Sequence, residues 1–535
     1  MIVSKTGTGT LHGSLLIAAI TSVCSSGFLL FGYDQGVMSG VVVSTYWLDQ
    51  MGNPPTIIVS TIAALYDVGA MFGAIFAAFT AEPLGRKRTL MLGAAVLIVG
   101  AILMGSSYGR PQMMVSRIIT GIGIGYITSV TPVYQSEVSA AAQRGWQVCC
   151  QLTTMLGGLM LAYWINYGMY FHHGAVQWRF PLLFQIIFAL YILVVTPFLP
   201  DTPRWLMRHD PNGEKRGLEV LAKLRGRPMD DPLVQREKNE ILDAIRIEAK
   251  EEGTWMDLFR DGGIAANKRF YLALGIQFMQ QMSGINIVTY YAPTLFQDSL
   301  SMSARMSLLL GCLLQVWYII ASFLTWYTID RVGRRPLFIS MALLMCGVLV
   351  AEAVCVAQST AHHGAAIGAV FFVFVFEAAF TWGWMATVWV YPPEILPLKI
   401  RAKGAALAAA ADFAGNFLVV EITPPALKNI GWKTYVIFAV LNVVNAIIVW
   451  LFYPETARLS LEAVDRIFVA QELGEGRDRR RLDRRLQWRI VDRAKDAIDK
   501  VKRGEVEDEE AAGTNGSASA NGSGDLKDAE RVERI

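Results

Sequence analysis

Charge is what this 535-residue chain has least of: 17% of its residues are Asp, Glu, Lys or Arg, against 53% hydrophobic. A soluble protein of this length carries nearer a quarter charged residues to wet its surface, so an ordinary soluble fold is excluded. Cysteine is scarce as well. Cys24, Cys149, Cys150, Cys312, Cys346 and Cys355 all fall inside or at the start of apolar runs, which argues against a disulfide framework and leaves them as small core residues. Histidine numbers six, and the adjacent pairs His172–His173 and His362–His363 lie in loops between apolar runs, where solvated residues rather than metal ligands are expected. Nucleotide loops, metal-ligand spacings and nucleophile motifs are all missing, so no enzyme chemistry, metal, cofactor or nucleic-acid partner is expected.

What is present is a series of about twelve apolar stretches of roughly 20 residues, each long enough as a helix to cross about 30 Å of hydrocarbon. They lie near 15–43, 57–80, 89–108, 112–135, 147–170, 181–199, 270–297, 304–329, 337–358, 365–391, 404–427 and 433–453. An all-α membrane protein is expected, because unpaired backbone groups are not tolerated in lipid. The first stretch is too long for a secretory signal and ends in no small-residue cleavage pattern, so it reads as an uncleaved span. Basic residues gather in alternate loops, at Arg86, Lys87 and Arg88, at Arg144, in the 200–269 segment, at Arg331, Arg334 and Arg335, and at Lys399, Arg401 and Lys403. Those loops, and with them both termini, are expected in the cytosol.

The sequence is written twice. "PVYQSEVSAAAQRG" (132–145) returns as "WVYPPEILPLKIRAKG" (389–404), placing Glu137 and Glu394, and Arg144 and Arg401, at one shift of 257; "EPLGRK" (82–87) returns as "DRVGRR" (330–335), and "PDT" at 200 as "PET" at 454. A duplication of six spans is implied. The expected division is a short cytosolic start (1–14), a six-helix half (15–199), a cytosolic helical linker (200–269), a second six-helix half (270–453) and a cytosolic tail (454–535). In the tail a basic amphipathic stretch over 482–498 can lie on anionic lipid, and the Gly, Ser, Asn and Ala-rich part after about 505 has the composition of a disordered segment.

With "RIITGIGIGY", "PDTPRWL" and "QQMSGINIVTYY", these paired motifs resemble the sugar porter family of the major facilitator superfamily over roughly residues 15 to 465. "FGYDQG", "AYWINYG" and "QWRFP" look most like its fungal members. The resemblance implies the major facilitator fold, with 12 transmembrane helices in two pseudo-symmetric six-helix halves and substrate held between them. Repeated acids and arginines at the inner helix ends read as a cytosolic latch: Glu82, Arg86, Glu137 and Arg144 in one half, Asp330, Arg334, Glu394 and Arg401 in the other. Glu82 stands where the family usually has Asp.

Gln280 lies ten residues into its span, near the midplane, and Ser283–Gly284 offer a break that can turn Gln280 and Asn286 toward one cavity. The resemblance implies that Gln280, Gln281 and Asn286 hydrogen-bond sugar hydroxyls, that Trp389 covers the apolar face of a pyranose, and that Tyr290 and Tyr291 form an outer gate. Counting from Arg401, Asp412 occupies a position that is usually an amide, and Asn416 matches. Counting from Arg144, Leu152 stands where many members have a ligand glutamine, and Gln151 is one residue early. These departures leave hexose, pentose, polyol and sugar acid open.

Asp34 is the one charge between Leu15 and Tyr46, in a place where an isolated charge costs between about 3 and more than 10 kcal/mol. Arg117 in span four can reach its depth. The resemblance implies that Asp34 accepts a proton and Arg117 is its partner, so the only cofactor-like species expected is the proton. Asp67 in "LYDVGAMFG" is a second candidate carrier or a helix-helix hydrogen bond. The expected activity is proton-coupled import of a monosaccharide such as glucose, another hexose or a pentose, by alternating access, in a monomer of the plasma membrane. Facilitated diffusion of a sugar or polyol, and a non-transporting nutrient sensor on the same scaffold, are the alternatives.

Overall fold

The computed structural model describes residues 12–139, 144–251, 254–260, 265–299, 302–359 and 362–457, with Val464 and Phe468 beyond them. The amphipathic stretch and the rest of the tail after Phe468 lie outside the described residues. Twelve spans follow in order: α1 (Ser14–Val41), α2 (Thr56–Leu84), α3 (Arg86–Gly105), α4 (Arg110–Val138), α5 (Arg144–Met169) and α6 (Val176–Phe198), then α7 (Ala266–Gln281, resuming at Ile285–Thr294), α8 (Ala304–Val332), α9 (Arg334–Gln358), α10 (Gly364–Ile395), α11 (Arg401–Ile430) and α12 (Lys433–Phe452). Among the described residues, ten of these are helical spans long and apolar enough to cross a bilayer. The helix α5 and the broken α7 complete the twelve.

The two sets of six helices are built alike. α1 packs on α5, α3 on α4 and α3 on α6; the equivalent pairs α7 with α11, α9 with α10 and α9 with α12 recur in the second set. Across the middle, α2 meets α11, α5 meets α8 and α1 meets α7. Phe72, Val99, Ile102, Val115, Phe323 and Phe371 stay exposed on the outside, as lipid-facing residues do. In lipid, where apolar side chains gain little by leaving the solvent, helices associate through close packing at small residues. α2 and α4 show it: a Cβ at Gly69 would stand 2.2 Å from the Ile118 carbonyl oxygen, and one at Gly121 would stand 2.1 Å from that of Tyr66. That approach brings Arg117, one turn from Gly121, against the backbone of α2.

Between α6 and α7 lie three amphipathic helices, Pro203–His209, Gly213–Arg225 and Pro232–Glu251. Thr202 caps the first by accepting from the Trp205 backbone N–H at 3.2 Å, one of the donors a helix start leaves orphaned. A 3₁₀ turn, Trp255–Leu258, then touches both sets of spans at the basic end. Trp255 stacks on Phe79 of α2 at 4.6 Å, Lys403 of α11 lies over the same ring, and Lys399 pairs with Asp257 at 3.2 Å.

Candidate functional site between the two halves

Asp34 and Arg117 meet inside the first half. Arg117 Nη1 donates to Asp34 Oδ1 at 2.9 Å, and both side chains are 0% exposed. Arg117 Nη2 donates to the Ala63 carbonyl at 3.1 Å, and its guanidinium covers the Tyr66 ring at 4.7 Å. A buried guanidinium is thus held by a carboxylate, a carbonyl and a π face, which is what its desolvation demands. Asp34 Oδ2 and Arg117 Nε have no hydrogen-bond partner.

In the second half the break in α7 organises the polar groups. Gly284 has φ of 94°, a conformation that costs glycine little and other residues more, and a Cβ there would stand 3.0 Å from the Phe438 ring. Asn442 of α12 donates to the Ser283 carbonyl at 2.9 Å and Asn445 to that of Met279 at 3.1 Å, supplying partners near the interruption that lipid cannot. Beyond the break, Asn286 Nδ2 donates to Gln281 Oε1 at 2.6 Å, and Gln281 Nε2 donates to Asp412 Oδ1 at 2.6 Å. The break therefore joins Asn286 to Gln281 rather than to Gln280. Gln280 turns toward α10, where a wide π-helical turn over Thr381–Met385 exposes carbonyls, and it donates to those of Trp384 at 3.2 Å and Met385 at 3.4 Å. Trp389 is half-buried one turn further along α10. Trp384 is buried and donates to the Phe338 carbonyl within its own half.

Nearer the arginine loops, Trp326 Nε1 of α8 donates to Thr153 of α5 at 3.1 Å, and Ser322 lies 3.3 Å from the same hydroxyl. More bonds join the halves toward the other end. Asn416 Nδ2 of α11 donates to Asp67 Oδ1 of α2 at 2.8 Å and to Tyr290 Oη at 3.2 Å. Tyr291 donates to the Val420 carbonyl at 3.0 Å, and with Tyr290, Ala63, Ala64 and Val420 it forms a buried apolar plug. Tyr163 of α5 donates to the Thr289 carbonyl at 2.7 Å, and Thr61 to Glu421 at 2.7 Å. This end is closed.

At the basic end the charges pair within each half. Arg86 bonds Glu82 at 2.8 Å and Glu137 at 2.9 Å; Arg334 bonds Glu394 at 2.9 Å. Arg401 donates from Nε to the Leu396 carbonyl at 3.1 Å. The side chains of Arg144 and Asp330 lie outside the described residues. The duplication reappears atom by atom. Asp201 accepts from the Arg86 backbone N–H at 3.2 Å and Glu455 from that of Arg334 at 3.0 Å, each capping a helix start behind a positive-φ glycine, Gly85 or Gly333. Tyr134 donates to the Pro200 carbonyl at 2.6 Å and Tyr391 to that of Pro454 at 2.7 Å.

Comparison with known proteins gives this geometry its context. The family model "Sugar (and other) transporter" matches residues 19–468. The chain belongs to the sugar transporter family. It is 39% identical over 466 residues to the MFS-type transporter oryC of Aspergillus oryzae, covering 86% of each chain. It is 32% identical over 481 residues to the Sugar transporter STL1 of Saccharomyces cerevisiae, covering 87% of this chain and 84% of that one. Among solved structures, the proton:xylose symporter XylE bound to 6-bromo-6-deoxy-D-glucose matches with a TM-score of 0.71 and 27% identity, over 85% of this chain and 100% of that one; XylE is from E. coli. The chain is thus a multi-pass membrane transporter of the twelve-helix major facilitator fold, and not an enzyme.

In this transporter several working residues escape a reading of the sequence. Asp201 and Glu455 show in it only as members of the repeated "PDT" and "PET", with nothing to say that they cap the next-door helices. Asn442 and Asn445 are two amides in an otherwise apolar span, and that oddity was the available signal. Leu152 and Gln151 are both buried, and Gln151 Nε2 has no partner.

Proposed function

We propose that the protein is a proton-coupled symporter that imports a neutral, polyhydroxylated solute of monosaccharide size by alternating access, in the plasma membrane, with its arginine-rich loops and both termini in the cytosol. The observation that carries the coupling is the Asp34–Arg117 pair, wholly removed from water yet leaving Asp34 Oδ2 without a partner. A carboxylate held by one guanidinium favours ionisation, and a rearrangement that withdraws the guanidinium makes protonation favourable in the same place. Proton binding and helix arrangement are then two sides of one equilibrium.

The solute class follows from which hydrogen-bonding atoms are left over. Gln280 Oε1, Asn416 Oδ1 and Asp67 Oδ2 are buried acceptors without donors, whereas Gln151 Nε2 is a donor without an acceptor. A surplus of acceptors suits a ligand rich in hydroxyl donors, because an unpaired buried polar group costs about 1–3 kcal/mol. It disfavours a sugar acid, whose carboxylate donates nothing and repels Asp412, Asp67 and Asp34. The plug of Tyr290, Tyr291, Ala63, Ala64 and Val420 closes the end away from the arginine loops, which this reading takes as the outer side.

The test is uptake of labelled glucose, xylose, glycerol and gluconate in cells expressing the transporter, with and without a protonophore. Accumulation of a neutral solute that collapses with the proton gradient is the expected result. Equilibration unaffected by the protonophore makes the protein a facilitator, and no uptake of any solute makes it a sensor.

A further inference from the structure

Asp67 is a buried acid to which proton coupling through Asp34 gives no task. Its Oδ1 accepts from Asn416 Nδ2, which also donates to Tyr290 Oη, and its Oδ2 is unpartnered. One amide nitrogen thus joins a carboxylate of the first half to a gate tyrosine of the second. On the other flank stands Arg117. The Ala63 carbonyl that accepts from Arg117 Nη2 is one helical turn before Asp67, and Tyr66, beneath the guanidinium, is its chain neighbour. Residues four apart share a helix face, so Arg117 already rests on the turn of α2 that carries Asp67. The other charged or titratable groups facing Asp67 are Asp34 from α1, Tyr66 from α2, Tyr290 and Tyr291 from α7 and Asp412 from α11. Glu421, further out on α11, is held by Thr61. One cation, Arg117, acts on both Asp34 and Asp67.

We propose that Asp67 is the second partner of Arg117, and that transfer of the guanidinium from Asp34 to Asp67 releases Asn416 and Tyr290 and opens the outer gate. The proposal rests on the proton reading above and deepens it. A proton from the outer water binds Asp34 at Oδ2, the charge on Asp34 is lost, and Arg117, still positive, turns to the nearest remaining carboxylate. Asp67 then has less hold on Asn416, and the tie between α2 and α11 breaks. The protonated, empty carrier stays open outward until solute hydroxyls bridge the halves again. Release of the proton inward restores the Asp34–Arg117 pair. Such a device ties proton passage to solute passage, because a carrier that cannot close without solute does not leak protons.

The experiment places a reporter cysteine at the plug, A64C, in a C355S background, and measures its reaction with a membrane-impermeant thiol reagent on intact cells at several external pH values. Accumulation of labelled solute is followed in parallel. The parent is expected to label about fivefold faster at about pH 5 than at about pH 7.5, since an allosteric coupling of this kind is worth five- to 150-fold. D67N is expected to reduce that response to less than about twofold and to lower accumulation at least about tenfold, and D67E to recover part of both. N416L, lacking the tie, is expected to label fast at both pH values. If D67N responds to pH and accumulates as the parent does while D34N does neither, Asp67 is not the second partner and the proton reading stands. If D34N also behaves as the parent, the proton reading falls. Should D67N fail to reach the membrane, slow and pH-dependent labelling of N416L overturns the proposal.

Discussion

Removing the two members of the Asp34–Arg117 pair singly and together separates a structural ion pair from a working one. Breaking a fully buried pair from one side costs about 3–5 kcal/mol, because the other charge is left without compensation. For D34N the cost falls at the lower end, about 3 kcal/mol, since Arg117 keeps the Ala63 carbonyl and the Tyr66 ring. R117L lies at the upper end, about 5 kcal/mol, because it leaves Asp34 fully buried with no cation to pair with. The double variant D34N/R117L, with neither charge, should recover most of the loss. Transport obeys different arithmetic. A potential of about 100 mV supplies roughly 2.3 kcal/mol per proton and one pH unit about 1.4 kcal/mol, a ceiling of roughly 500-fold accumulation. Both D34N and the double variant should fall to equilibration. Heat unfolding of the purified proteins followed by tryptophan fluorescence, beside solute accumulation in proteoliposomes under an imposed gradient, reads both quantities. A double variant that is as stable as the parent and still concentrates its solute would falsify the coupling role. Single variants no less stable than the double would refute the accounting of the pair.

Four further outcomes follow from the geometry. D412N, which keeps Gln281 but removes a buried acceptor charge, should raise KM for a neutral sugar about tenfold, the equivalent of one charge-assisted hydrogen bond, with kcat little changed; competition assays over the solute panel check it. G284A should destabilise the protein by about 1–3 kcal/mol, through backbone strain at φ of 94° and contact with Phe438, measured as a lowered unfolding temperature. R86Q and R334Q each take the arginine from a partly buried glutamate, Glu137 or Glu394, at the basic end, and should slow transport more than about tenfold while changing solute affinity little, since neither arginine lies at the proposed solute site; rates in vesicles against equilibrium binding decide it. Asp257, outside the membrane, is held below the usual carboxylate range by the Thr254 backbone N–H and by Lys399. A depressed folded value means its contribution is present above the ordinary carboxylate pKa and lost as pH falls through the depressed one. The Lys399–Asp257 clip should therefore persist at neutral pH and open only in acid, and crosslinking of a K399C/D257C pair against the parent's acid unfolding profile tests it.

The twelve spans were legible because twenty apolar residues in a row have few alternatives in water, and because the repeat counted six of them twice. The ends were less so. The run read as 57–80 continues as α2 to Leu84, and the run read as 404–427 begins at Arg401 in α11, since helices go on past the hydrocarbon into their charged caps. The Ser283–Gly284 break was visible as a glycine at midplane depth. Its consequences were not: a break frees carbonyls, and which amide takes them depends on the neighbouring helix, so Asn442 and Asn445 stand out as amides in an apolar span without showing what they bond. The bonds of Gln280 were hidden for a similar reason, because the π-helical turn in α10 offers it two carbonyls that no periodicity announces.

The halves share one plan at their basic ends and depart from it at the midplane. Tyr134 and Tyr391, Asp201 and Glu455, Arg86 and Arg334 repeat one another, as expected of parts that serve the same hinge twice. At the midplane the first half holds the charge pair Asp34–Arg117, and the second holds the amides Gln280, Gln281 and Asn286. Charge and amides are therefore on different halves. On the symport reading, a proton on one affects solute on the other only through bonds that cross the interface and break when it rearranges. Tyr163 to Thr289, Thr61 to Glu421, Lys428 to Thr56, and Trp326 and Ser322 to Thr153 cross it, yet none touches the charge pair. The Asp67–Asn416–Tyr290 tie lies beside Arg117 at one end and in the gate at the other, which makes it the place where a substitution should uncouple the two fluxes without abolishing either binding event.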